Sequence, residues 1–323
     1  MATLLKTIEQ VQKYVSIYSS FKYDSLKPYI VQADRKFLVP ACSQELYDDF
    51  SETPPEEGIR LNVYELLLEA SGHLAMFLYV PIGNVEINDH GILIQSGSDT
   101  KSAEWWQIRD LRRSFLDNGL SAIDSALKIM EANESEFTEW KGSDSYTFFM
   151  ELFVKRTDTF NRWFNISNSR RTFQALRPYM LEAHHQYFVG KLGPDTVARI
   201  NFTTKPLTEL STELAQGIPF KVMELMQASL VNYTVAKAID SGMFEITPSG
   251  IYQKIDDFPG QRTKGLDDVQ VNRLLSNKIS AAEEFFKKGL ELIEQNPLEF
   301  PEYSKKESAQ FIKPMDTKST VSF

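Results

Sequence analysis

The chain repeats itself, and that constrains its fold more than anything else in its 323 residues. Tyr23–Ala33 (YDSLKPYIVQA) stands against Phe173–Ala183 (FQALRPYMLEA) at a constant offset of 150 residues. Leu26, Pro28, Tyr29 and Ala33 recur unchanged as Leu176, Pro178, Tyr179 and Ala183. Further matches follow in the same order: Lys13–Ile17 with Arg162–Ile166, Tyr64–Ser71 with Val222–Ser229, Val85–Ile92 with Phe244–Ile251, and Glu136–Trp140 with Glu299–Tyr303. Generic helical patterning aligns with itself, but it does not reproduce Leu-x-Pro-Tyr-x-x-x-Ala. A period this long makes each copy a module with its own core.

Within each copy the apolar spacing is helical. Leu26, Tyr29, Ile30, Ala33 and Phe37 share one face of a helix expected over Ser25–Val39, with Ser25 as its cap and Pro28 in its first turn. Leu176, Tyr179, Met180, Ala183 and Tyr187 give the same stripe. A short helix is expected near Gln44–Phe50 and again near Pro194–Ile200. Long apolar helices are expected at about Leu61–Val80 and Leu207–Ile239, the second broken near Gly217-Ile-Pro219. Alternation with central turn residues reads as a hairpin at Val85–Ile94 and at Phe244–Tyr252. A charged-faced helix closes each module, near Ser102–Ala132 and Leu266–Gln295. The fold class is therefore mainly α: two tandem homologous helical domains, each with a long-helix core and a small β-hairpin. The expected boundaries are 1–140 for the first module, 141–146 for a linker at Gly142, 147–303 for the second module and 304–323 for an extended tail.

Composition narrows the function classes. Hydrophobic content of 42% suits folded domains. A net charge of -9 argues against gripping nucleic acid by its phosphates, and the groups Arg109/Arg112/Arg113 and Arg170/Arg171 read as solvated positions. No signal peptide and no membrane span are expected, since Glu69 and His73 interrupt the most apolar window, Leu66–Val80. The one cysteine, Cys42, has no CxxC partner and reads as an inert thiol made in a reducing compartment.

Chemistry is not visible. His184 and His185 are adjacent on a helix and diverge by about 100°, so they lack the i, i+4 geometry of a metal pair and suit packing or solvation. His73 reads as a core histidine. Asp256-Asp257 and Asp267-Asp268 are acid pairs of a kind that usually faces water. No phosphate loop, dinucleotide fingerprint, nucleophile elbow or zinc helix is present. No catalytic group, metal or cofactor is expected, and the chain is read as a non-enzyme. The pairs Trp105-Trp106, Phe148-Phe149 and Phe285-Phe286 should each send one ring to the core and its neighbour to another surface.

The run Lys13–Ile17, Leu26–Ala33, Phe37–Pro40 and Glu45–Tyr47, with Phe173–Ala183 and Leu192-Gly193 in the second copy, resembles an uncharacterised structural family of Bacteroidetes phages and prophages. More loosely it resembles the helical head–tail connector (adaptor) proteins of tailed phages. Those are single modules, whereas this chain is doubled. The resemblance implies a virion protein of the neck, made in the bacterial cytoplasm. It implies a homo-oligomeric ring, of twelve subunits in typical adaptors, that extends the portal channel and meets the portal protein and tail or further neck proteins. DNA would pass through without specific binding, and no membrane is involved. Contacts are expected at the hairpin tips Asn88, Asp89, His90 and Gly91, and Thr247, Pro248, Ser249 and Gly250, and in the tail at Phe311 and Phe323. Another phage component (tail-completion or cargo protein) and a helical ligand-binding protein or enzyme remain the alternatives.

Overall fold

Leu26, Ile30 and Ala33 and their counterparts Leu176, Met180 and Ala183 are all 0% exposed, so the repeated stripe is the buried face of a repeated helix. The computed structural model describes residues 3–18, 20–83, 85–88, 91–94, 103–202, 217–241, 244–247, 250–253 and 268–304. It is mainly helical.

In the first half, α1 is Ile8–Gln12, opened by a Thr7–Gln10 capping box. Next, α2 (Tyr23–Ala33) runs through a π turn at Asp34–Leu38 into α3 (Val39–Cys42). The helix begins before Ser25, at Lys22, whose side chain makes no capping bond. Pro28 therefore lies inside α2 rather than in its first turn. It is tolerated because its side is exposed and water can satisfy the carbonyl it leaves unpaired. Pro40, just past the π turn, has no N–H to give back along the helix, which favours a widened turn there. Then come α4 (Gln44–Glu52), α5 (Gly58–Gly83), the paired strands β1 (Val85–Asn88) and β2 (Gly91–Ile94), α6 (Trp105–Ala132), α7 (Thr138–Lys141) and α8 (Asp144–Met150).

The second half repeats this order. It contains α9 (Thr157–Trp163), then α10 (Arg170–Ala183) running through a π turn at His184–Val189 into α11 (Gly190–Leu192). These are followed by α12 (Pro194–Phe202), α13 (Ile218–Asp240), strands β3 (Phe244–Thr247) and β4 (Gly250–Gln253), and α14 (Asp268–Gln295). Even the joints agree. Ser43, between α3 and α4, has φ 76° and ψ 159°, and Gly193 holds the same joint at φ 84° and ψ 155°. Only glycine adopts that conformation freely; Ser43 endures it while its Oγ accepts the Leu46 N–H and caps α4.

Each half centres on one antiparallel pair of long helices, α5 with α6 and α13 with α14. The pairs approach closely where α6 and α14 carry small residues. Gly119 lies against Leu74 and the Ala70 carbonyl, and an added Cβ would come within 2.6 Å of Leu74 Cγ. At the register position matching Gly119, α14 has Ala282, which is 0% exposed and whose carbonyl accepts the Ser229 hydroxyl. By length and mean hydropathy α5 resembles a membrane span, yet half of that apolar window is buried within the protein.

The buried residues form two cores. One runs from Leu4 to Phe149, the other from Leu152 to Phe300. This corrects the expected linker. Residues 141–146 belong to α7, α8 and the turn between them, and Tyr146 and Phe149 pack on the fully buried Trp140. Ser143 starts α8 by accepting the Tyr146 N–H. The change of core falls instead at about 150–152, one helix later than composition suggested.

Candidate interaction surface

The sequence placed contacts at the hairpin tips. Asn88 pairs with Gly91, and Thr247 with Gly250, as the last residue pair of each two-stranded sheet. Asp89, His90, Pro248 and Ser249, which join those pairs, and Phe311 and Phe323 in the tail, lie outside the described residues. The acid pair Asp256-Asp257 lies outside them as well.

The base of the first hairpin presents a surface that the sequence did not single out. Gly119 opposite Ala70 and Leu74, and the Arg112 guanidinium 4.5 Å from the Phe77 ring centroid, set the register of α6 on α5. That register brings Trp105 and Trp106 level with Ile82, where α5 ends and β1 begins. Trp105 is 53% exposed, Trp106 48%, Leu111 49% and Ile82 42%. The expectation that one tryptophan of the pair enters the core is thus corrected: both sit on the first turn of α6, at the end of the helix pair. Phe149 and Phe286 enter the cores as expected; Phe148 is outward beneath Arg177 of the second module, whereas Phe285 is half-buried against Trp163 of its own module rather than at another surface. Arg109 leans on Trp105, 5.3 Å from its ring, and pairs with Asp110. In the second module the positions matching the tryptophans are Asp268 and Val269. Val269 is 77% exposed where α6 has Trp106, so the two helix pairs end in different side chains on the same framework.

A second polar site fastens the modules together. Glu131, near the end of α6, is 5% exposed and meets Lys155 Nζ at 3.8 Å and Arg156 at 2.7 Å. Burial pushes the Glu131 carboxyl above the ordinary carboxylate range, against the pull of both cations. Burial likewise pushes the Lys155 ammonium down to about 8. Asp124 pairs with Arg170, and Arg177 reaches the Phe148 carbonyl and Glu151 while its guanidinium lies 3.6 Å from the Phe148 ring. Arg170 was read as a solvated position; its side chain is 10% exposed because it bridges to the other module. Arg112 is likewise drawn onto the Phe77 ring. Nothing local in the sequence marks Glu131 among its many acidic neighbours, since its partners come from the next core.

A third site lies at the π turns, where the offset of 150 sets Asp34 against His184. Asp34 is fully buried and accepts hydrogen bonds from Tyr47 at 2.6 Å and Ser71 at 2.5 Å. Burial, only partly offset by these donors, pushes its carboxyl up to about 6. Cys42 is buried as well, and its thiol is pushed up to about 12, first by burial and then by the Asp34 carboxylate. His184 packs between Phe153 and Phe188, 3% exposed, with neither ring nitrogen hydrogen-bonded among the described residues. Burial, with His185 adding to it, pushes the imidazole down to about 4. His73 is a core residue too, against Phe115. Among the described residues no three His, Cys, Asp or Glu side chains gather as a metal site.

Residues 29–150 and 204–311 match the model of a family of unknown function (DUF6712), and the chain belongs to that family. The matched segments fall one in each half, and the first ends where the first core ends. No curated protein and no solved structure matches the chain.

Proposed function

We propose that this protein is a structural component of a tailed-phage virion, a neck-ring protein that extends the portal channel and joins capsid to tail. The reading starts from the sequence resemblance. The observation that best supports it is the pair of exposed tryptophans, Trp105 and Trp106, on the first turn of α6. Large aromatic side chains gathered at one end of a rigid helix pair suit anchoring into a protein partner. Two homologous modules, each carrying a hairpin, would then serve as one scaffold making two unlike contacts, one through the tryptophans and one through the different surface of the second module.

The acidic balance fits a channel that DNA must pass without sticking. A phage carrying Trp105→Ser and Trp106→Ser should assemble full heads and free tails that fail to join, while the purified variant keeps its thermal stability. Particles joined at the wild-type level would overturn the assignment of that surface.

A further inference from the structure

We infer that copies of this chain associate head to tail, with α14 of one chain seated on α2 of the next as α6 is seated on α10 within the chain. The seam between the modules has two unlike sides. The first module supplies the outward face of α6, with Asp124 and Glu131; the second supplies α10 and the segment before α9, with Lys155, Arg156 and Arg170, while Arg177 on α10 meets the Phe148 carbonyl of α8 and Glu151. Each module contains both kinds of side. The seam therefore uses one side of each kind and leaves the other two uncovered among the described residues.

Burial at matching positions shows which sides are covered. Lys155 is buried against Glu131, whereas Lys6, at the same place in the first module, is exposed and donates to the Ser51 carbonyl; Arg177 is buried by Phe148 and Glu151, whereas its counterpart Lys27 is exposed. Glu131 is buried, whereas Glu294, its counterpart on α14, is exposed. Both open sides are charged, with net charges of opposite sign. The α2 side presents Lys6, Lys22 and Lys27 beside Asp24, while the outward side of α14 presents Glu283, Glu291 and Glu294 around Lys287, which pairs with Glu291 and stands where α6 has Asp124. The Glu131–Lys155 pairing of the seam would recur between chains as Glu294–Lys6, added to the contacts that Glu294 makes with the Tyr303 hydroxyl and Lys6 with the Ser51 carbonyl.

Because the two sides differ, the contact is heterologous, and repeating it generates a closed ring or an open helical array. Its open sides are charged, so the association should weaken as salt rises. The inference gives the proposed ring its subunit contact; it rests on that reading for its setting in a virion, and on the seam for its geometry.

Full-length Lys6→Cys and Glu294→Cys chains test it. Mixed and oxidised at low salt, the two should form a disulfide-linked dimer that neither forms alone at comparable yield. Sedimentation of the unmodified chain should show species of two or more chains. These should be lost in Lys6→Glu/Lys27→Glu and restored when that variant is mixed with Glu291→Lys/Glu294→Lys. A chain that stays monomeric at every concentration overturns the inference. So do oligomers that form without the 6–294 link, although they would leave a ring built through another surface intact. Head-to-tail assembly by a protein absent from the phage neck would uphold the contact and overturn the function proposed above.

Discussion

Glu131→Ala should destabilise the protein by about 3–5 kcal/mol, the range found when one partner is removed from a buried ion pair. The loss falls on Lys155, whose side chain is 4% exposed, and on Arg156, since both lose the carboxylate they share while Arg156 keeps Asp158. Burial dominates the shifts of Glu131 and Lys155, so the pair is expensive to bury and its value lies in how it joins the modules. The double variant Glu131→Leu/Lys155→Met should therefore recover most of the lost stability. Denaturant unfolding of the three proteins is the check. In Glu131→Ala the transition should move to lower denaturant and separate into two steps as the cores uncouple. Equal midpoints for Glu131→Ala and wild type would mean that the pair does not hold the seam.

The second large effect is a divided response to acid. His184 stays neutral in the folded chain down to about pH 4 but takes up a proton near 6.5 when unfolded. Its contribution is fully present above pH 6.5 and is lost as pH falls through 4. The loss is of the order of 3 kcal/mol from a shift of this size. Asp34 acts in the opposite sense. The folded chain keeps its proton up to about pH 6, against 3.8 for the ordinary group. Its contribution is fully present below pH 3.8 and is lost as pH rises through 6, again of the order of 3 kcal/mol. Between neutrality and pH 4 the second module should therefore loosen while the first tightens. Hydrogen exchange read by mass spectrometry at pH 4.5 should show faster exchange in α10 and α13 than in α2 and α5. His184→Phe should remove the difference at α10. Wild type and His184→Phe losing protection in parallel would show that His184 is not the cause.

Much of the fold was legible because buried helical faces are periodic. Leu26, Ile30 and Ala33 mark the core at a spacing a single sequence displays, and their recurrence at 176, 180 and 183 shows that the pattern belongs to packing. The short helices and both long pairs follow from the same signal. What depends on distant partners was hidden. Arg170 looks like any surface arginine until α10 meets α6, and nothing near residues 141–146 announces that α8 packs back on Trp140. The Asp34–His184 correspondence was present in the alignment that revealed the repeat. Its meaning needed the π turn, which points both side chains inward. Trp105 and Trp106 misled because adjacent helical residues usually divide between core and surface; at the end of a helix pair both remain at the surface.

A cryo-electron microscopy reconstruction of the phage neck measures directly where this chain sits in an assembled particle. It should show a ring beneath the portal whose subunit contains two pairs of long antiparallel helices, with Trp105 and Trp106 buried against the portal or a tail protein. A neck resolved at side-chain level and built entirely from other proteins would contradict that placement.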